Sequence, residues 1–265
     1  MKTTFILSLF MFSSLSLALT NATPALDTAF DSVAVVALDG KDDHGDIVPG
    51  YCVATFINPS VAVTAGHCLG PAIALGVRKS KLMLGHYNYI TKPDGSKVRS
   101  GWKILFQQEM PADLFVLGSL KPGPNDDMGI IVFKSPVPHA PEVKFATTIS
   151  QQEAQAVVPR ISQYAPSVVT INLVEEMSTD FRRISLLNQI SSSSSHFESQ
   201  SVARVQPGDS GAPLFVRIGP TWKLAGVVKG RAETIFSNWD VISDLSKGLC
   251  TLAQKVPQHR ADLCH

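Results

Sequence analysis

The sequence predicts an all-β sandwich or barrel, and three observations predict it. Apolar runs of four to eight residues recur along the chain, many rich in β-branched side chains. The spacers between them carry Gly, Pro, Asp and Asn, the residues of tight turns. Helical periodicity is missing until Trp239, after which Val241, Leu245, Leu249 and Leu252 recur at spacings of three and four and mark a single C-terminal helix. Composition sets the bounds. Of 265 residues, 45% are hydrophobic and 17% charged, a globular balance with length for one large domain or two small ones. With 23 Lys+Arg against 22 Asp+Glu the net charge is +1, and no basic run offers a field for a nucleic-acid backbone.

Residues 1–22 read as a secretory leader. Lys2 supplies the positive start, residues 5–19 (FILSLFMFSSLSLAL) an uncharged apolar stretch, and Thr20 and Ala22 the small residues before a cleavage point after Ala22, with Ala18 the alternative. The apolar stretch, about 15 residues, is shorter than the roughly 20 that span a bilayer, and no Cys follows it for lipidation. Export to the exterior or the periplasm is expected, with residues 23–265 as the mature chain and no membrane contact after cleavage. Strands are expected at residues 33–38 (VAVVAL), 52–57 (CVATFI), 114–120 (LFVLGSL), 129–133 (GIIVF), 168–173 (VVTINL), 212–216 (APLFV) and 222–228 (WKLAGVV). Turns are expected at 38–46 (LDGKDDHGD), 92–96 (KPDGS) and 121–125 (KPGPN). Residues 191–201 (SSSSSHFESQS) read as a surface loop in which His196 is solvated.

Export changes the meaning of the four cysteines. Cys52 and Cys68 lie 16 apart and Cys250 and Cys264 lie 14 apart, so local pairing gives two disulfides, each stabilising by about 3 kcal/mol in the chain-entropy model. Metal ligation or buried free thiols compete, but no CxxC or tight Cys/His spacing supports them; only Cys68 adjoins a histidine, His67.

Three segments carry chemistry. Residues 207–214 (PGDSGAPL) place Ser210 between glycines, where a tight turn can present a nucleophile beside backbone N–H groups; a plain β-turn is the competing reading. Residues 63–68 (VTAGHC) place His67 beside a cysteine expected to be bridged, a rigid setting for a general base. Residues 125–133 (NDDMGIIVF) place an acid at the mouth of a hydrophobic strand, where it can orient an imidazole. Separately, His67 could be structural and Asp127 a strand cap. Together they order as His, Asp, Ser.

With those motifs in that order, the sequence resembles the chymotrypsin/trypsin-like serine peptidase family from about Ser32 to Trp239. The resemblance implies two six-stranded antiparallel β-barrels, at about residues 30–140 and 141–238, closed by a C-terminal helix and tail at 239–265. It implies a triad of His67, Asp127 and Ser210, with Asp127 preferred over Asp126 because the family's acid precedes a residue, a small residue and two aliphatics. The N–H groups of Gly208 and Ser210 would form the oxyanion hole. The partner implied is a protein or peptide substrate, acted on by a monomer with neither metal nor organic cofactor.

The chain also departs from the family. No Ile-Val-Gly-Gly start and no Arg or Lys cleavage site precedes Val33, since residues 23–30 read TPALDTAF; either leader cleavage produces the working N-terminus, or Asp209 takes another cation, or the oxyanion loop is not properly formed. Arg204 stands where trypsin-type enzymes carry an acid, Lys229-Gly230-Arg231 replaces Ser-Trp-Gly, and Gln206 replaces a cysteine. Cleavage after Lys or Arg is not expected; Arg204, Lys229 and Arg231 would instead suit an acidic substrate side chain. A catalytically silent binding protein on the same scaffold is the alternative. An α/β-hydrolase esterase is excluded, because its elbow needs Gly-x-Ser-x-Gly and a histidine that comes last.

Overall fold

Ten long apolar or alternating segments find ladder partners in the computed structural model, which describes residues 23–24, 28–41, 44–95, 97–118, 127–141, 143, 155–161, 166–171, 196–199, 209–233 and 238–264. Strands β2 (Val33–Lys41), β3 (Ile47–Asn58), β4 (Val61–Thr64), β5 (Lys79–Thr91), β6 (Lys97–Val116) and β7 (Gly129–Phe133) close an antiparallel barrel in the order β2-β3-β4-β7-β6-β5. The run VAVVAL is continuous rather than alternating because one face of β2 (Ala34, Val36, Leu38) is buried and the other (Val33, Val35, Ala37) is buried or half-buried. Ala34, Val36 and Leu38 fill the barrel with Phe56, Leu84, Ile131 and Phe133. Val33, Val53, Val63, Ile130 and Val132 face outward into a second core shared with Leu214, Phe215, Leu224, Val227 and Val228 of the other half. One apolar layer thus joins the two halves.

The second half contributes β8 (Gln155–Ile161), β9 (Pro166–Ile171), β10 (His196–Ser199), β11 (Pro213–Ile218), β12 (Thr221–Glu233) and β13 (Asn238–Asp244), the six strands that the resemblance implied. With β1 (Thr23–Pro24) they form an antiparallel sheet ordered β1-β9-β8-β11-β12-β13-β10. A 3₁₀ turn at Thr28–Ser32 follows β1, and Phe30 there packs in tilted contact with Phe215 and Trp222 at centroid distances of 5.6 and 5.3 Å. The leading segment is thereby fastened to the second sheet, whereas the leader at 1–22 lies outside the described residues.

Several expectations need correction. The C-terminal helix α2 is Leu245–Ala253, six residues later than the periodicity suggested, because residues 238–244 pair as β13 with both β12 and β10. Leu245, Leu249 and Leu252 do form its buried face, but Val241 belongs to the strand. The Ser-rich loop contains a strand, β10, in which His196 pairs with Ser243. Cys68 lies on helix α1 (Gly66–Ala74). Both expected disulfides are present, Cys52–Cys68 tying β3 to α1 and Cys250–Cys264 tying α2 to the short helix α3 (Arg260–Leu263). Among the described residues no helix is long and apolar enough to cross a membrane.

Candidate active site

Asp127 enters the fold just before β7 and is 1% exposed. Both of its carboxylate oxygens are used: Oδ1 accepts the backbone N–H of His67 at 2.7 Å, and Oδ2 lies 2.6 Å from His67 Nδ1. A carboxylate only accepts, so Nδ1 carries the proton and Nε2 of the neutral ring is left with its lone pair. His67 is the second residue of α1, whose N-cap, Ala65, has no side chain able to cap. The first-turn N–H groups of a helix need outside acceptors, and Asp127 supplies one while placing its charge at the favourable end of the helix dipole. One carboxylate therefore fixes both the backbone and the ring of the same residue. Approach this close requires Gly66, where a Cβ would sit 3.0 Å from Met128 backbone atoms and 3.2 Å from Asp127 Oδ1.

Four supports for Asp127 carry no local sequence signal. Ser243 of β13 donates its hydroxyl to the Asp127 carbonyl at 3.1 Å, and Leu117 N–H donates to the Met128 carbonyl at 2.9 Å. Behind them Gly248 of α2 packs on the Met128 side chain, and Lys255 Nζ donates to the Val116 carbonyl at 2.8 Å. The C-terminal segment is in this way a backing for the acid.

Ser210 is held through its main chain. Val53 N–H donates to the Ser210 carbonyl at 2.8 Å, Gly211 N–H to the Val228 carbonyl at 2.7 Å, and Val228 N–H to the Ala212 carbonyl at 2.7 Å. The turn that carries Ser210 is therefore pinned to the first barrel on one side and to β12 on the other. Gly211, at φ +81°, lies against the Val53 carbonyl, Thr64 Oγ1 and Ala65 N, and Ala65 is only two residues before His67. Thr64 Oγ1 in turn donates to the Val53 carbonyl at 2.7 Å. Among the described residues no hydrogen bond joins Ser210 Oγ to His67 Nε2; the polar neighbour of Nε2 is Cys68 Sγ, at 3.9 Å. Bonds of this kind are often long until a substrate is bound.

The remaining expected residues divide. Asp209 is fully buried directly before Ser210 and is engaged with another group. Lys229 is half-buried at a bulge of the β12–β13 ladder and likewise engaged. Arg231 stands on β12 opposite Asp240 of β13. Gly208, Arg204, Gln206 and Asp126 lie outside the described residues. Among the described residues Cys52, His67 and Cys68 bring ligand-type atoms within 4.8 Å of one another, but both sulfurs are joined in the disulfide and are not free to ligate a metal. The family model described as Trypsin matches residues 24–238 of the chain. Among curated proteins no match is found.

Proposed function

The chain belongs to the trypsin family, a serine-protease scaffold, and from that membership we propose a secreted or periplasmic serine endopeptidase acting through His67, Asp127 and Ser210. The observation that carries this reading is the two-oxygen grip of Asp127 on His67, at 2.7 Å to the backbone and 2.6 Å to the ring. It leaves Nε2 as a base directed away from the acid, as proton removal from a serine hydroxyl requires. Ser210 Oγ attacks the scissile carbonyl, Nε2 takes its proton and returns it to the leaving amine, and water then repeats the sequence on the acyl-enzyme. Asp127 holds the tautomer and stabilises the imidazolium. The N–H groups of Gly208 and Ser210 receive the oxyanion. Two disulfides and the leader at 1–22 support export, with cleavage after Ala22.

Specificity is not trypsin-like in this reading. Arg204, Lys229 and Arg231, at the positions that the family resemblance assigns to the side-chain pocket, would favour cleavage after Glu or Asp.

The test is intact-mass analysis of the exported protein with a fluorophosphonate probe. One adduct on the parent and none on Ser210→Ala is expected. No adduct on the parent would overturn the reading in favour of a silent scaffold. Substrate profiling decides the pocket, where cleavage sites without enrichment of acidic residues would remove the acidic preference.

A further inference from the structure

We propose that the outer part of the β5–β6 ribbon is a docking site for an extended acidic polypeptide, which adds to the open edge of β6 as a further strand. The docking site goes beyond the peptidase reading and does not rest on it.

The first observation is an open edge. β5 and β6 pair with each other from Lys79 opposite Pro111 out to Thr91 opposite Lys97. Their other neighbours stop much sooner, since β2 pairs with β5 only at Lys81–Leu84 and β7 pairs with β6 only at Ala112–Val116. Beyond those pairs the ribbon runs on as two strands. Among the described residues the edge of β6 that faces away from β5 meets no strand before Ala112. No proline interrupts residues 97–110, so the backbone there can take a ladder partner. A two-stranded ribbon is marginal in water and gains from a third strand.

The second observation is charge, and it names the occupant. Residues 85–104 hold Lys92, Lys97, Arg99 and Lys103 against Asp94 alone, whereas the whole chain is only +1 and the rest of it is therefore net negative. Three of the four cations belong to β6, at the open edge. Positive residues on an edge guard it against indiscriminate pairing, but toward an acidic strand the same charges attract. Backbone pairing then supplies the register and the cations select the partner. Apolar residues add to this: Ile90, which stands opposite Val98, is 58% exposed. A lipid surface fits less well, because Lys92, Asp94 and Gly95 make an exposed polar tip and the Ile90–Val98 pair lies behind it.

The experiment is fluorescence anisotropy of a labelled peptide of alternating Glu and Val, titrated with the full-length Ser210→Ala chain so that the peptide stays intact. Saturable binding that weakens as salt is raised is expected. On that background Lys97→Glu/Arg99→Glu/Lys103→Glu should weaken binding about tenfold or more, since each reversal turns attraction into repulsion. A peptide of the same charge with Pro in place of Val should also bind about tenfold more weakly or worse, because it has too few N–H groups to pair. That comparison leaves the protein unchanged and holds even if the triple variant folds poorly. Absence of binding, equal binding by the triple variant, or equal binding of the Pro peptide would each overturn the proposal. Vesicles of phosphatidylglycerol and phosphatidylcholine test the other occupant: if they retain the chain and the peptide does not bind, the surface serves lipid and the proposal is overturned. If the peptide binds as expected while the chain with Ser210 intact resists fluorophosphonate, the peptidase reading fails and the docking site stands.

Discussion

Gly211→Ala tests the docking of the nucleophile turn on the first barrel. The backbone there sits at φ +81°, a left-handed conformation that costs a residue with a Cβ about 1–2 kcal/mol. The new methyl would also overlap the Val53 carbonyl and Thr64 Oγ1. The hydroxyl can rotate away, but the carbonyl is strand backbone, so the turn must lift. Lifting it breaks the 2.8 Å bond from Val53 N–H to the Ser210 carbonyl, at a strand position that is 1% exposed. A buried donor left unmatched costs about 1–3 kcal/mol. The expected loss is therefore about 2–5 kcal/mol, read as a lower urea midpoint at unchanged slope. Displacing Ser210 by about 1 Å should also slow fluorophosphonate labelling about a hundredfold. A variant that unfolds within about 0.5 kcal/mol of the parent and is labelled at the parental rate would refute this account of how Ser210 is placed.

Asp127→Asn should lower kcat/KM by about 10⁴-fold, because an amide has one oxygen for two N–H donors and must give up either the helix end or the useful tautomer; steady-state kinetics on a peptide substrate checks this. Ser243→Ala removes the bond to the Asp127 carbonyl and should cost about 1–2 kcal/mol in denaturant, with a smaller loss of activity than Asp127→Asn. Cys250→Ser/Cys264→Ser opens a loop of sequence separation 14 and should lower stability by about 3 kcal/mol, while fluorophosphonate labelling of the folded fraction persists. In Gly248→Ala the new Cβ would lie 2.7 Å from Met128 Cε, the movable end of a flexible side chain. The helix-propensity gain of about 1 kcal/mol should offset much of the crowding, leaving the thermal midpoint within a few degrees of the parent.

What the sequence disclosed followed from locality. Residues 33–38, 52–57 and 129–133 read as strands because burial or half-burial on both faces leaves a largely apolar run, and 92–96 read as a turn because it joins β5 to β6. Strands β5 and β8 went unread, since Lys79–Thr91 mixes polar and apolar residues and Gln155–Ile161 is interrupted by Pro159. Spacing misled at Val241, which lies inside β13 four residues before the helix's first leucine and so mimics a helical step. His67, Asp127 and Ser210 were legible as motifs. Ser243, Val53 and Thr64 were not, because their roles come from a hydroxyl reaching 116 residues away or from one backbone amide meeting another segment. A signal existed only for Thr64, which stands in the same short run as His67.

The supports are unevenly distributed, and the unevenness bears on mechanism. Asp127 and His67 are fixed to each other and backed by β13 and α2, and the Ser210 main chain is fixed from both halves. The coordinate left to adjust is the separation between Ser210 Oγ and Nε2, which no hydrogen bond bridges among the described residues. Val228 both accepts from Gly211 and donates to Ala212, and the next three residues, 229–231, are those expected to lie along the substrate. A peptide bound there would act one residue from the hydrogen bonds that frame the nucleophile. Substrates that engage residues 229–231 should therefore gain in kcat, not only in KM, over truncated ones, since their remote binding energy would go into closing the Oγ–Nε2 distance.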